Sequence, residues 1–251
     1  MASADTALID DLVTANHILF TEGVVDGFGH ISVRNPGHPE RFLIARSMAP
    51  GLVTAADIVE CDLQGQVHDA QGRRSYVERF IHSAIYAARP EVHSVIHSHS
   101  PAIIPFGLLR EGSHARLRPV CHMSGFLGSR TPVFEIRHSV GDDSDLLIRS
   151  QALGLALAQS LGGNAVALMR GHGSVTVGYS IQQAVFRAIY TEGNARLQMQ
   201  ALQLAGAAGD AGAGSISYLS EAESQSASAM NDEHLDRPWQ LWKQRAQGLA
   251  L

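Results

Sequence analysis

The chain has 251 residues, of which 45% are hydrophobic and 17% charged, with a formal net charge of −5. One hydrophobic core can support that length, and the composition excludes a disordered chain. Basic residues form no run, and no apolar stretch approaches the roughly 20 residues a membrane helix needs, so neither nucleic acid nor a membrane is an expected partner.

The N-terminus, MASADTALIDDLV, has neither a basic n-region nor an apolar h-region and does not read as a signal peptide. Cys61 and Cys121 have no metal spacing and suggest no disulfide framework, so a reducing cytoplasm is the expected compartment. The less ordinary number is 13 histidines, several in tight local groups.

Residues 5–22 place apolar side chains at helical spacing, with Gly23 as the stop. HISVR (30–34), FLIA (42–45) and DIVECDL (57–63) alternate between Pro- and Gly-bearing turns and read as an antiparallel meander. YVERFIHSAIYAA (76–88) returns to helical period, and VHSVIHSHS (92–100) is β-branched and alternating, hence a strand. TPVFEI (131–136) reads as a strand, 145–162 as a helix closed by Gly162-Gly163, and 164–178 as two strands joined at Gly171–Gly173. A long helix is expected over 180–206 with Ser180 as N-cap, then a small-residue connection over 205–215. A last helix carries Trp239 and Trp242, which together with Tyr218 are candidate lid or interface residues. The expected whole is a single domain over 1–251, with a core of about 8–205 and a tail of 206–251. Its class is α/β in content with α+β connectivity, helices packing on a mainly antiparallel sheet.

The chemistry-bearing pattern begins at His97-Ser98-His99. Residues i and i+2 of a strand share a face, so both imidazoles can chelate one ion, although two strand-end histidines in solvent have the same spacing. His172, in Arg170-Gly171-His172-Gly173, sits in a turn whose glycines leave the ring unobstructed. Glu78, four residues before His82 on the preceding helix, could ligate an ion, act as general base, or be a solvated first-turn glutamate. Three histidines with a carboxylate or water suit zinc or a harder ion such as manganese. Gly27-Phe28-Gly29-His30 could bring backbone N–H groups to an anion, and Arg46-Ser47 offers a guanidinium and a hydroxyl to a carboxylate. Cys121-His122 lies in a Pro-preceded loop.

Together GHISVR (29–34), FLIARSMAPGLVTAADIVECDLQGQ (42–66), ERFIHSAIYAARPEVHSVIHSHSP (78–101) and LMRGHGSVTVGYSIQQAV (168–185) resemble the class II aldolase/adducin family over about residues 8–205. The resemblance implies a three-layer α/β/α fold around a mainly antiparallel sheet, commonly assembled as a tetramer with active sites at subunit interfaces. It implies one divalent ion, Zn2+ or Mn2+, on His97, His99 and His172, with Glu78 as catalytic base or further ligand. Sugar-phosphate aldolases of the family carry G-N-x-S and a T-P-S/T-G-like loop. Here those positions read Gly29-His30-Ile31-Ser32 and Ala45-Arg46-Ser47-Met48, and Cys121 stands at or near the place of the aldolases' proton-donating tyrosine. A phosphate cradle needs small residues and free N–H groups, so phosphate is not the expected anion.

The altered loops, RPVCHM and the Arg-Pro-Trp…Trp tail resemble the family's decarboxylase branch, acting on hydroxylated aromatic or pyridine dicarboxylates. The expected reaction is loss of CO2 through a metal-stabilised enolate or carbanion. Glu78 and His122 are the proton-handling candidates, and His30, Arg46, Ser47, Cys121 and Tyr218 the substrate-binding candidates. An aldolase for a non-phosphorylated hydroxy-keto acid or sugar acid is the alternative enzyme. A non-catalytic, adducin-like binding module is the alternative of a different class.

Overall fold

The computed structural model describes residues 6–248 apart from 69, 111, 112, 114 and 210–213. The expectations for residues 1–5, and for 210–213 of the connection, lie outside the described residues.

Helix α1 (Thr6–Thr21) is followed by strands β1 (His30–Asn35), β2 (His38–Ala45), β3 (Ile58–Asp62) and the short β4 (Val67–His68). Helix α2 (Arg79–Ala88) leads into β5 (Ser94–Ser98), and the short helix α3 (Ile104–Gly107) comes next. A 3-10 helix at His122–Leu127, strand β6 (Val133–Phe134) and the short helix α4 (Arg137–Val140) precede α5 (Gln151–Leu161). Strands β7 (Val166–Met169) and β8 (Gly173–Gly178) form a hairpin, followed by α6 (Ile181–Ala207), α7 (Glu221–Asp232) and α8 (Asp236–Ala246).

All eight strands join one sheet in the order β4-β3-β2-β1-β5-β8-β7-β6. Every pairing is antiparallel except β6–β7. The alternation read in the sequence sorts the two faces. Ile31, Val33, Leu43 and Ile96 pack on one side with α1, α6 and α8. Phe42, Ile44, Val95, Val175 and Val177 pack on the other with α2 and α5. The sheet is therefore the middle layer of an α/β/α sandwich. No helix among the described residues is long and apolar enough to cross a membrane.

Four boundaries depart from the sequence reading. Helix α2 begins at Arg79, leaving Glu78 as its N-cap rather than on the helix face (φ −87°, ψ 18°). Strand β5 ends at Ser98, so His99 lies just beyond the pleat. Helix α5 begins at Gln151, capped by the Ser150 hydroxyl, and 145–149 approach Glu78 as irregular chain. The tail holds two helices, and Trp239 and Trp242 are core residues against α1 and α6, not lid residues. Two buried indoles bind the tail to the domain with on the order of 3–5 kcal/mol each, the usual cost of truncating them.

Candidate metal centre and active site

The sheet builds the site by parity. Residues with the side-chain direction of Val95 face α2, and His97, two residues on, faces the same way. The antiparallel register sets His30 of β1 directly opposite His97, with ring centroids 5.1 Å apart. His172 arrives from the tight β7–β8 hairpin. There Gly171 takes a φ of 66°, and a Cβ on Gly173 would lie 2.0 Å from the Ser98 carbonyl oxygen.

Four donor atoms converge. His99 Nε2 lies 3.1 Å from His97 Nε2 and 2.9 Å from His172 Nε2. Glu78 Oε2 lies 3.4 Å from His97 Nε2 and 3.6 Å from His172 Nε2. One donor atom from each of the four residues falls within 4.8 Å of all the others. Zinc–nitrogen bonds of about 2.0–2.1 Å in a tetrahedron set donors roughly 3.3–3.4 Å apart, close to these separations.

Without an ion the arrangement is poorly satisfied. A neutral imidazole nitrogen carries one proton or one lone pair, yet His99 Nε2 meets two other imidazole nitrogens at once. The outer contacts suit a ligand set. His97 Nδ1–H donates to the Ser174 carbonyl at 3.1 Å, which leaves Nε2 with its lone pair. Glu78 Oε1 accepts from the Ile148 N–H at 2.9 Å, which aims Oε2 at the histidines.

Burial lowers the pKa of His99, and pushes His172 down to about 4. Burial alone would raise the Glu78 carboxyl, but the His97 and His172 imidazoles and the Ile148 N–H outweigh it and hold Glu78 at about 2. The four residues therefore fit a divalent cation, with one anionic and three neutral donors.

A cavity of about 470 Å³ opens over this cluster, lined by Phe28, His30, Ser47, Met48, Tyr76, Glu78, His97 and His99 among others. Phe28 is 69% exposed at its mouth and stacks against His99 with centroids 6.2 Å apart. Gly29, beside it, takes a φ of 95°, and a Cβ there would meet Val25 at 2.6 Å. The Tyr76 hydroxyl donates to the Met48 carbonyl at 2.6 Å and anchors the loop that carries Ser47.

Of the sequence candidates, Glu78, His97, His99 and His172 come together, and His30 and Ser47 join them around the cavity. Arg46 does not line it; its Nε donates to Asp57 Oδ1 at 2.6 Å. Cys121, His122 and Tyr218 also lie outside this cavity. The first two begin the 3-10 helix, where His122 is exposed, and Tyr218 accepts from Gln198 Nε2 at 3.2 Å under the Arg118 guanidinium. Phe28 lies in the glycine-bearing motif read for its backbone N–H groups, but its ring had no signal of its own, and neither did Tyr76, which the approach to α2 brings to the cavity.

The family described as "Class II Aldolase and Adducin N-terminal domain" matches residues 10–199. The chain belongs to the class II aldolase/adducin family. Among its relatives, "Decarboxylase tropJ" of Talaromyces stipitatus is 40% identical over 248 residues, spanning 92% of this chain and 90% of that one. The "3,4-dihydroxyphthalate decarboxylase" of a Terrabacter species is 29% identical over 231 residues, spanning 86% and 89%. Human beta-adducin is 25% identical over 181 residues, which cover 70% of this chain but 23% of that one. An aldolase II superfamily protein from Pseudomonas syringae shares the fold with a TM-score of 0.77 at 21% identity, covering 98% and 94% of the two chains. The L-fuculose 1-phosphate aldolase from Glaciozyma antarctica aligns with a TM-score of 0.75 at 25% identity, covering 99% and 94%.

Proposed function

We propose that the chain is a metal-dependent carbon–carbon lyase that removes CO2, without oxidation, from a hydroxylated aromatic or pyridine carboxylate or dicarboxylate. The observation that carries this reading is the four-donor cluster of Glu78, His97, His99 and His172 opening on a cavity lined by His30 and Met48, where the phosphate loops of the sugar-phosphate aldolases have asparagine and glycine. The names of the relatives at 40% and 29% identity, both decarboxylases, support it.

Zn2+ or Mn2+ held by the cluster would supply a Lewis acid for the substrate's hydroxyl oxygen and neighbouring carboxylate. His30 and Ser47 grip the second carboxylate or hydroxyl, and Phe28 offers a flat apolar face to the ring. Arg46 serves by tying the Ser47 loop to Asp57. Glu78 starts ionised; with substrate bound, its Oε2 leaves the donor set to the three histidines and accepts the substrate's hydroxyl proton. As the carbon–carbon bond breaks, its electron pair stays on the ring carbon and CO2 departs. Glu78 then returns the proton to that carbon. Cys121, His122 and Tyr218 act in the cavity of a second copy, in a homo-oligomer, a tetramer by preference, with His122 as a second proton-handling group. A cytoplasmic setting is consistent with two free cysteines.

The test pairs metal analysis of the purified protein with a screen of ortho-hydroxylated aromatic carboxylates, 3,4-dihydroxyphthalate first, for CO2 release. CO2 as the sole small product is the expected result. Pyruvate or an aldehyde released from a hydroxy-keto acid would instead make the chain an aldolase, a reading favoured by the aldolase from Glaciozyma antarctica at 25% identity. Protein purified without any metal would point to an adducin-like binding module.

A further inference from the structure

Behind the cavity runs a buried line of four side chains. His30 Nδ1 lies 2.6 Å from His82 Nε2, His82 Nδ1 lies 2.6 Å from Ser32 Oγ, and Ser32 Oγ lies 2.8 Å from Tyr86 OH. None of the four residues is more than 4% exposed. His30 lines the cavity, and with Nδ1 turned inward its remaining nitrogen, Nε2, is left for the cavity.

Counting hydrogens fixes the choices. Both rings are buried and the partners along the line are neutral, so each ring is neutral and carries one N–H. The two hydroxyls bring the total to about four hydrogens for three internal bonds, so one hydrogen must point out of an end. At the far end its acceptor would be the His93 carbonyl, 3.4 Å from Tyr86 OH and already accepting the Arg34 N–H at 2.8 Å. At the near end it would be an Nε2–H on His30, directed at the cavity.

The near end is favoured. A phenol is a stronger donor than an aliphatic hydroxyl, and the Tyr86–Ser32 contact is much the shorter of the two that Tyr86 can use. Tyr86 then donates to Ser32, Ser32 to His82 Nδ1, and His82 Nε2–H to His30 Nδ1. We propose that Tyr86, Ser32 and His82 form a directional hydrogen-bond chain that holds His30 as an Nε2–H donor in the cavity, and that this donor orients the substrate's carboxylate or hydroxyl oxygen. A protonated Nε2 also cannot act as a metal ligand. The chain thus keeps His30, whose ring stands 5.1 Å from that of His97, out of the cluster of metal donors. Tyr86, Ser32 and His82 are positioning residues, since they reach the substrate only through His30.

The substrate class rests on the proposed function; the polarity of the chain does not. Two measurements separate them. In zinc-loaded protein with 15N-labelled histidine, long-range 1H–15N correlation spectra should show His30 and His82 both as the Nε2–H tautomer. An Nδ1–H tautomer at either ring overturns the proposal.

The second measurement uses His82→Leu, which removes the donor, and His82→Gln, whose amide N–H can still reach His30 Nδ1. With 3,4-dihydroxyphthalate, His82→Leu should raise KM about tenfold while kcat and zinc content stay within about threefold, as for loss of a binding hydrogen bond. His82→Gln should recover most of that loss. Equal damage by both variants, or loss of zinc with either, overturns the positioning role. If neither folds, Ser32→Ala removes the hydroxyl that donates to His82 Nδ1, and an unaltered His30 tautomer distribution in it overturns the chain. Absence of CO2 release by the wild-type protein from every hydroxylated aromatic carboxylate would sink the substrate class, while the tautomers would still decide the chain.

Discussion

Replacing Glu78 by Gln keeps the side-chain shape and removes the charge. Glu78 Oε1 accepts from the Ile148 N–H, and Oε2 stands 3.4 and 3.6 Å from the His97 and His172 nitrogens. Its carboxyl lies at about 2 instead of the ordinary 4.5, a preference for the ionised form worth roughly 3 kcal/mol. A depressed carboxylate contributes stability above its ordinary pKa and loses it as pH falls through the folded-state value. In metal-stripped protein Glu78→Gln should therefore be less stable than wild type by up to about 3 kcal/mol from pH 7 down to 5. The gap should narrow below pH 4.5, because the wild-type contribution decays there and the glutamine has none to lose. Urea unfolding of EDTA-treated protein across that range reads the difference. In metal-loaded protein the same variant should keep its ion but turn over about 10²-fold more slowly, the usual cost of losing a general acid–base group. A glutamine variant as stable as wild type at pH 7, with unchanged turnover, would return Glu78 to the role of an ordinary helix cap.

His97→Ala and His172→Ala should each abolish metal retention, measured by elemental analysis, and with it activity; a metal-loaded, active double variant would end this account of the site. Removing the ion with a chelator should lower the unfolding temperature, since a ligand at 1,000 times its Kd adds about 4 kcal/mol, and an unchanged melting curve would argue against a resident metal. The metal-stripped protein should also lose stability as pH falls from about 6.5 toward 4. His172 and His82 stay neutral when folded, at about 4 and about 3, whereas the unfolded chain takes up protons below the ordinary 6.5. A flat denaturation profile over that range would refute those environments. Trp242→Ala should cost about 3–5 kcal/mol in unfolding free energy, because Trp242 packs with Phe186 and Tyr190 of α6; a cost under about 1 kcal/mol would return the tail to a lid.

How much was legible follows from how each contact is encoded. The amphipathic period of α1 and the alternation of β1, β2 and β5 are local, and they located the elements and their buried faces. Helix α7 was missed because it docks through small and polar residues. Ser224, Ala227 and Asn231 are its buried positions, and a Cβ on Gly125 of the 3-10 helix would meet the Ser224 carbonyl at 2.4 Å. Such packing leaves no apolar stripe to read. The shared helix face of Glu78 and His82 also misled. With Glu78 at the N-cap the two residues part, Glu78 to His97 and His172 and His82 to His30.

The clustering of His97, His99 and His172 was legible because two are close in sequence and the third stands in a glycine turn, yet the strand argument for them was only half right. His97 is placed by the pleat. His99 lies past the strand end, and its ring reaches the other two from irregular chain. What no local pattern could give is the pairing of His30 with His97, which depends on strands more than 60 residues apart coming into register. That register explains why a histidine at position 30 matters more than its spacing suggests. An asparagine there, as in the sugar-phosphate aldolases this chain resembles, has a shorter side chain with an amide of its own. An imidazole spans the distance between the cavity and His82, so its cavity-facing nitrogen takes its hydrogen-bonding sense from a buried ring 52 positions away. If substrate choice turns on that nitrogen, then the determinants of specificity in this chain extend beyond the cavity wall to Ser32 and Tyr86, whose substitution should move KM without touching the metal.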